Sequence, residues 1–420
     1  MYINSLSGGT MARYTAKRII LLGLCWMYAL LLHAQLAERF SRLGMENIRT
    51  VSNAEKQIIA YEDRVYRNSY EGVKKAIETA LDGNETKTIC LIILDENGIP
   101  QLKIEIPAEL SRRFHRKECT LYDVYAEMKM GTQADEELEL LKGKETIQRS
   151  NWRPDLTVYP QLFLENSSFN KLYRYYISLA PALEMPLWKG AELTAQVIFP
   201  IVGNQKGELK QIRPGIVAIS QGFYLGRNIY LKAVGGQFTN HRLGGQVSGY
   251  WRNKNGRWET GAKLGLTIYS IFDNAGWTVN RSKPKVNASI YGRTYLPQWN
   301  TEITVEAARF VYGDYGIQGE LVRHFGEYTV GLYGVYTGGD ANAGFSFAVP
   351  LPGKKYKRWK GMRLKPADYF NYRYKMTVWG EYVDRKLGHT YNTVPGENRS
   401  KGFYQPDYIR YFLMKTTKTR

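Results

Sequence analysis

VYGDYGIQGELVRHFGEYTVGLYGVYTGG (residues 311–339) is a run of short apolar–polar alternations broken by glycine. Alternation with period two is the signature of a β-strand, which sends successive side chains to opposite faces. A soluble sheet buries its apolar face against a core, whereas a membrane barrel turns that face to lipid and encloses the polar one. Ile317, Leu321, Val330 and Leu332 fall on the apolar side. Gly313, Asp314 and Gly316 read as a tight structural turn, since glycine and aspartate accept backbone shapes that other residues resist.

The same alternation fills the rest of residues 151–420. In 173–185 Ile177, Leu179 and Leu183 oppose Arg174, Ser178 and Glu184, and in 258–270 Leu264, Leu266 and Ile268 oppose Glu259, Lys263 and Thr267. Comparable runs at 156–165, 190–201, 212–221, 227–238, 243–251, 285–296, 300–311, 317–325, 327–337, 342–350, 372–383 and 404–414 bring the total to about 14 strands, close to the roughly 9–11 residues each that a bilayer crossing requires. Aromatic residues gather at strand ends, among them Tyr295, Phe310, Tyr315, Tyr411 and Phe412, as an interfacial girdle would have them. An open sheet edge in hydrocarbon would leave backbone groups unpaired, so the pattern predicts a closed antiparallel barrel of 12–14 strands. A soluble sandwich or jelly roll is the alternative. The mean hydropathy of −0.41 does not weigh against a barrel, whose alternating strands average out.

The front of the chain is different. Residues 1–34 carry a basic start (Arg13, Lys17, Arg18), an apolar run Ile19–Leu32 and then LHAQ, the layout of a signal peptide cleaved near Ala34. Residues 1–150 hold a balanced charge, and 35–150 form the small front domain. The 21 Lys+Arg and 21 Asp+Glu of residues 1–150, out of 58 and 39 in the chain, leave the whole formal charge of +19 on 151–420. In this front part 56–61 reads as a strand, and 69–81 as a helix with Val73, Ala76, Ile77, Ala80 and Leu81 on one stripe. Residues 88–106 read as a hairpin around Asn97-Gly98. The expected fold is therefore mainly β, an outer-membrane barrel preceded by a small periplasmic α/β domain. Cys90 and Cys119 could pair in an oxidising compartment, though nothing in their spacing demands it.

Charges on the polar strand faces are the candidate lining of the barrel interior: Arg174, Glu184, Lys232, Glu259, Lys263, Arg293, Glu306, Lys375 and Glu381. A basic loop places Lys354, Lys355, Lys357, Arg358 and Lys360 around Tyr356 and Trp359. It reads either as a solvated loop, one resting on acidic lipid headgroups, or as a grip on an anionic polysaccharide. The glycine pairs at 235–236 and 244–245 have no following helix and read as strand glycines. His115 sits in a basic turn, and His241, His324 and His389 lack a Ser/Asp pattern. No catalytic residue, metal or cofactor is expected, and nucleic acid is not a plausible partner of a secreted chain.

ARFVYGDYGIQGELVRHFGEYTVGLYGVYT (308–337) followed by AGFSFAVPLP (343–352) resembles the barrel of the YjbH/GfcD-like outer-membrane proteins of exopolysaccharide and group 4 capsule biosynthesis. The shared features are a G-D-x-G turn (Gly313, Asp314, Gly316), the strand carrying Leu321, Arg323 and Phe325, and the strand from Gly344 to Pro350-Leu351. Residues 179–201 and 243–252 are similar to earlier strands of that barrel, with Gln246 where the family pattern suggests Glu, and 57–81 is similar to its small α/β module. The longer members have about twice this length, so the chain resembles one module-plus-barrel half. The resemblance implies non-catalytic help in exporting or assembling extracellular polysaccharide, with outer-membrane lipid and polysaccharide-export proteins as partners. A general diffusion porin and a structural or secretion-accessory barrel are the alternatives.

Overall fold

The computed structural model describes residues 36–82, 86–166, 173–204, 207–273, 276–374, 385–396 and 403–418. The expected signal peptide, Lys375 and Glu381 lie outside these residues.

The front domain opens with a helix at 36–43 (α1). It continues through β1 (Glu46–Ser52), β2 (Lys56–Glu62), α2 (Ser69–Leu81), β3 (Thr88–Asp95), β4 (Ile99–Ile106), α3 (Ala108–His115), α4 (Leu121–Glu127), β5 (Lys129–Gly131) and α5 (Asp135–Leu140). The five strands lie in sequence order, with β2 and β3 parallel and the other neighbours antiparallel. The Asn68 side chain caps α2 by accepting from the Tyr70 amide, a device worth about 1 kcal/mol. Its expected apolar stripe is buried throughout, packed with Ile59, Leu91, Ile93 and Leu102 in one core. At the β3–β4 hairpin Asn97 and Gly98 both take positive φ, 58° and 105°. Cys90 and Cys119 are free buried thiols.

The back of the chain forms one large sheet of fourteen strands. Twelve follow one another: β6 (Asp155–Asn166), β7 (Tyr173–Pro186), β8 (Ala191–Gly203), β9 (Arg213–Tyr224), β10 (Ile229–Phe238), β11 (Arg242–Arg252), β12 (Trp258–Asp273), β13 (Gly276–Leu296), β14 (Thr301–Arg309), β15 (Tyr315–Phe325), β16 (Tyr328–Thr337) and β17 (Asp340–Pro350). Each is antiparallel to its neighbours. The strand ladders do not close into a barrel, because β6 and β17 do not pair with each other. One passage of chain holds both: β18 (Arg363–Pro366) runs parallel to β6, and β19 (Tyr369–Arg373) antiparallel to β17. Tyr372 Oη also donates to the Leu164 carbonyl at 3.2 Å.

In β16 the opening stretch has a sharp answer. Exposed and buried residues alternate along the whole strand, and the exposed ones include Tyr328, Val330, Leu332 and Tyr336, while Thr329 and Thr337 are buried. Ile317 and Leu321 of β15 are likewise exposed, as are Leu264 and Leu266 of β12 and Ile219 and Phe223 of β9. The sheet therefore shows its apolar face outward and keeps its polar face inside, the reverse of an ordinary soluble sheet.

One expected strand is a helix. Residues 404–414 fall in α6 (Pro406–Lys418), where Tyr408, Ile409, Phe412 and Leu413 are buried. Their spacing is helical rather than alternating, and Pro406 and Asp407 suit a first helical turn. Tyr411 and Phe412 are thus no strand-end girdle: Phe412 stacks on Tyr70 of α2 at 5.4 Å. Among the described residues no helix is long and apolar enough to cross a membrane, which leaves strands untouched as a means of crossing.

Candidate functional site

The turns after β7, β9, β11, β15 and β17 share one end of the large sheet, and the front domain meets each of them. Gly190 donates to the Asn97 carbonyl (3.1 Å), the Tyr224 hydroxyl to Asp135 (2.7 Å) and the Thr132 amide to the Lys254 carbonyl (2.9 Å). Arg67 donates to Glu327 at 2.7 and 2.8 Å and to the Gly353 carbonyl at 2.6 Å. At the remaining turn, after β13, Tyr295 packs 6.3 Å from Phe403, just ahead of α6.

A buried ion network locks this junction. Arg358 pairs with Glu46 (2.5 Å) and Asp155 (3.0 Å), Arg363 with the same two carboxylates (3.1 Å each), and Arg64 with Glu62 (2.8 Å) and Glu192 (3.2 Å). Burial opposes ionisation of Glu62. The Arg64 charge and hydrogen bonds from Arg64, Asn47 and the Asn97 amide outweigh it and hold the carboxyl below its ordinary value of 4.5.

This changes the meaning of the basic loop. The Arg358 side chain is buried in the network, 10% exposed, and is not free for a polymer. Lys355 lies 5.0 Å over the Tyr66 ring of the front domain, and Tyr356 donates to the Pro352 carbonyl. Lys354, Lys357, Trp359 and Lys360 remain exposed. The loop mainly packs between the two parts of the chain, with the Arg67 and Tyr356 amides donating across it to the Lys354 and Val65 carbonyls.

On the polar face of the large sheet a cavity of about 480 Å3 gathers Glu259, Lys263, Arg293 and Glu306 of the expected lining. Sequence reading did not single out its other charges, Arg252, Glu302, Glu320 and Arg373. Glu259 is the hub: it accepts from Arg252 (3.0 and 3.2 Å), from the Tyr291 hydroxyl (3.1 Å) and from Arg293 (3.4 Å). Arg373 of β19 reaches Glu320 of β15 at 3.1 Å and lies 4.1 Å from the Tyr333 ring, so the wall must curve across β17 and β16. Four cations (Arg252, Lys263, Arg293 and Arg373) meet four carboxylates (Glu259, Glu302, Glu306 and Glu320) in this cavity.

The other expected lining residues lie elsewhere. Glu184 accepts from Thr157 (2.8 Å) and Tyr159 (2.6 Å). Lys232 pairs with Glu96 of the front domain at 2.6 Å and belongs to the junction. Arg174 is exposed near the opposite end.

That opposite end is crossed by residues 385–396. Gly388 donates to Asp314 (2.8 Å), Val311 to the His389 carbonyl (3.1 Å), and Thr239 exchanges bonds with Asn392 (3.2 and 2.8 Å). Tyr391 stacks on Phe238 at 5.2 Å, donates to Asn287 at 2.9 Å, and joins Ile216, Ala218 and Val234 in a small apolar cluster on the inner face. Gly313, with φ 98°, and Asp314 form the expected turn between β14 and β15. Gly316 is the second residue of β15, where a Cβ would collide with the Tyr336 carbonyl. Asp314 has a second role that the turn motif does not reveal, since its carboxylate ties down this strap.

The glycine pairs face each other across β10 and β11, Gly235 opposite Gly245 and Gly236 opposite Gly244. His324 stacks on Phe403 at 4.6 Å with Glu302 3.7 Å away. Among the described residues no group of three metal-ligating side chains occurs. No family model, curated protein or solved structure matches this chain.

Proposed function

We propose that the chain is an outer-membrane β-barrel that helps export or assemble an extracellular polysaccharide, with its α/β domain seated on the periplasmic mouth. The exposed apolar face of the large sheet carries this reading. Contiguous apolar surface on that scale requires a partner, and lipid is the partner that suits a continuous strand wall. Exposed aromatics mark both edges: Trp188, Trp258, Trp299 and Phe325 toward the α/β domain, and Tyr175, Trp277, Tyr315 and Tyr336 toward the strap. Tyr315 and Phe325 are ten residues apart on one strand. At about 3.4 Å per residue and a tilt of about 40°, the two positions are separated by about 26 Å along the barrel axis, close to the roughly 25 Å height of a barrel's apolar band. Closure would run through the passage 363–373, which already holds β6 and β17.

The polysaccharide role rests on the resemblance to the YjbH/GfcD-like proteins and on the aromatic, hydrogen-bonding interior. Occupied mouths at both ends argue against a general diffusion porin. A strain lacking this chain should lose or thin its surface polysaccharide, measured by uronic-acid and neutral-sugar assays of the washed cell surface. Normal polysaccharide in that strain would sink the reading.

A further inference from the structure

The cavity on the polar face is built for a ligand of definite chemistry. Its four cations and four carboxylates cancel, so neither an anion nor a cation gains from the net field. Donors and acceptors are nonetheless to spare. Lys263 Nζ lies 3.8 Å from Glu306, an ion pair without a hydrogen bond, and its side chain is 42% exposed. The Gln318 amide faces Glu306 across β14 and β15 and lines the same space. Ring faces stand beside these groups: Tyr291 under Lys263 (5.3 Å), and Tyr250, whose ring stacks on Tyr230 at 4.6 Å.

We infer that this cavity binds a neutral oligosaccharide segment through Tyr250, Lys263, Tyr291, Glu306 and Gln318. A sugar hydroxyl both donates and accepts, and so can insert between Lys263 and Glu306 and satisfy each. A carboxylate or phosphate only accepts: Arg252, Arg293 and Arg373 are already held by Glu259 and Glu320, and at Lys263 it would stand against Glu306 with nothing to donate. The apolar face of a pyranose lies against Tyr291 as Lys263, which covers that ring at 5.3 Å, turns to the sugar hydroxyl. The volume falls within the range of about 300–1,000 Å3 typical of small-molecule sites. This assignment rests on the polysaccharide reading and sharpens it: the segment recognised here carries no charge, even where the whole polymer does.

The test is equilibrium dialysis of the detergent-purified full chain against malto-, cello- and manno-oligosaccharides, with oligogalacturonate as the charged probe. At least one neutral series should bind at least tenfold more tightly than oligogalacturonate. Tyr291→Ala and the gentler Glu306→Gln should each weaken that binding at least tenfold while keeping the wild-type thermal transition. Overturning results are oligogalacturonate binding as tightly, neutral binding unmoved in both variants, or no neutral series binding at all. If the chain fractionates with outer membranes but binds no neutral sugar, this inference fails alone. If it stays in the soluble fraction, the membrane reading fails first.

Discussion

Arg363 is 1% exposed and flanked by Glu46 and Asp155, and its burial makes it the most consequential single cation at the junction. Removing it leaves Glu46 and Asp155 chiefly to Arg358 and loses its charged hydrogen bonds, at a cost of about 1.5–3 kcal/mol. Arg363→Met should therefore lower stability on that scale in denaturant titration, while Lys360→Met, on the exposed part of the same loop, should change it little. Glu62 gives the junction a pH dependence. Its folded pKa lies below the unfolded one, so its contribution is present above about 4.3 and fades as pH falls through the lower folded value. Stability should drop on acidification below that point, and Glu62→Gln should flatten the drop. Burial, reinforced by Glu137, pushes the Cys90 thiol up to about 12. Iodoacetamide at pH 8 should leave it unmodified until the chain unfolds. None of these roles is legible from local sequence. Arg358 and Arg363 sit in a run of seven cations, and only the return of the chain to Glu46 and Asp155 separates the buried ones from the solvated ones.

At the scale of elements, the strands announce themselves because their period is strict and their turns are glycine-rich. The α2 stripe and the Asn97-Gly98 hairpin are legible for the same reason. The last element is not. Residues 404–414 contain enough Tyr, Ile and Phe to imitate a strand, and what decides for a helix is the i, i+1, i+4, i+5 burial of Tyr408, Ile409, Phe412 and Leu413 in the front-domain core. Tyr408 is fully buried, with its hydroxyl on the Gly326 carbonyl at 3.0 Å. Tyr408→Ala should cost about 3–5 kcal/mol and expose Arg410 and Lys415 to trypsin, read as early loss of the C-terminal fragment. The strap makes a second element-level prediction. Tyr391 fills the inner face where β10, β12 and β13 converge, so the wild-type chain in a planar bilayer should be nearly silent and Tyr391→Ala should conduct. Equal currents from both would mean that the strap seals nothing.

For the whole molecule, the two ends behave differently. The α/β domain and α6 engage the turns at one end through a charged and aromatic junction, while a short segment ties the turns at the other. Between them lies a polar interior behind an apolar outer surface. Period-two patterning fixes which residues share a face, but the direction of that face is decided by the folded chain, where Leu264, Val330 and Leu332 are exposed. Which interior charges meet is not legible in the sequence either, because Arg373 and Glu320 are brought together by the curvature of the sheet and not by any spacing along the chain. The central claim is that the exposed apolar face meets lipid. The direct measurement is fractionation of cells producing the full chain, followed by carbonate extraction and gel mobility of unheated against boiled samples. The chain should stay in the outer-membrane pellet and migrate faster unheated than boiled. Recovery in the soluble periplasmic fraction, with no heat-dependent shift, would contradict it.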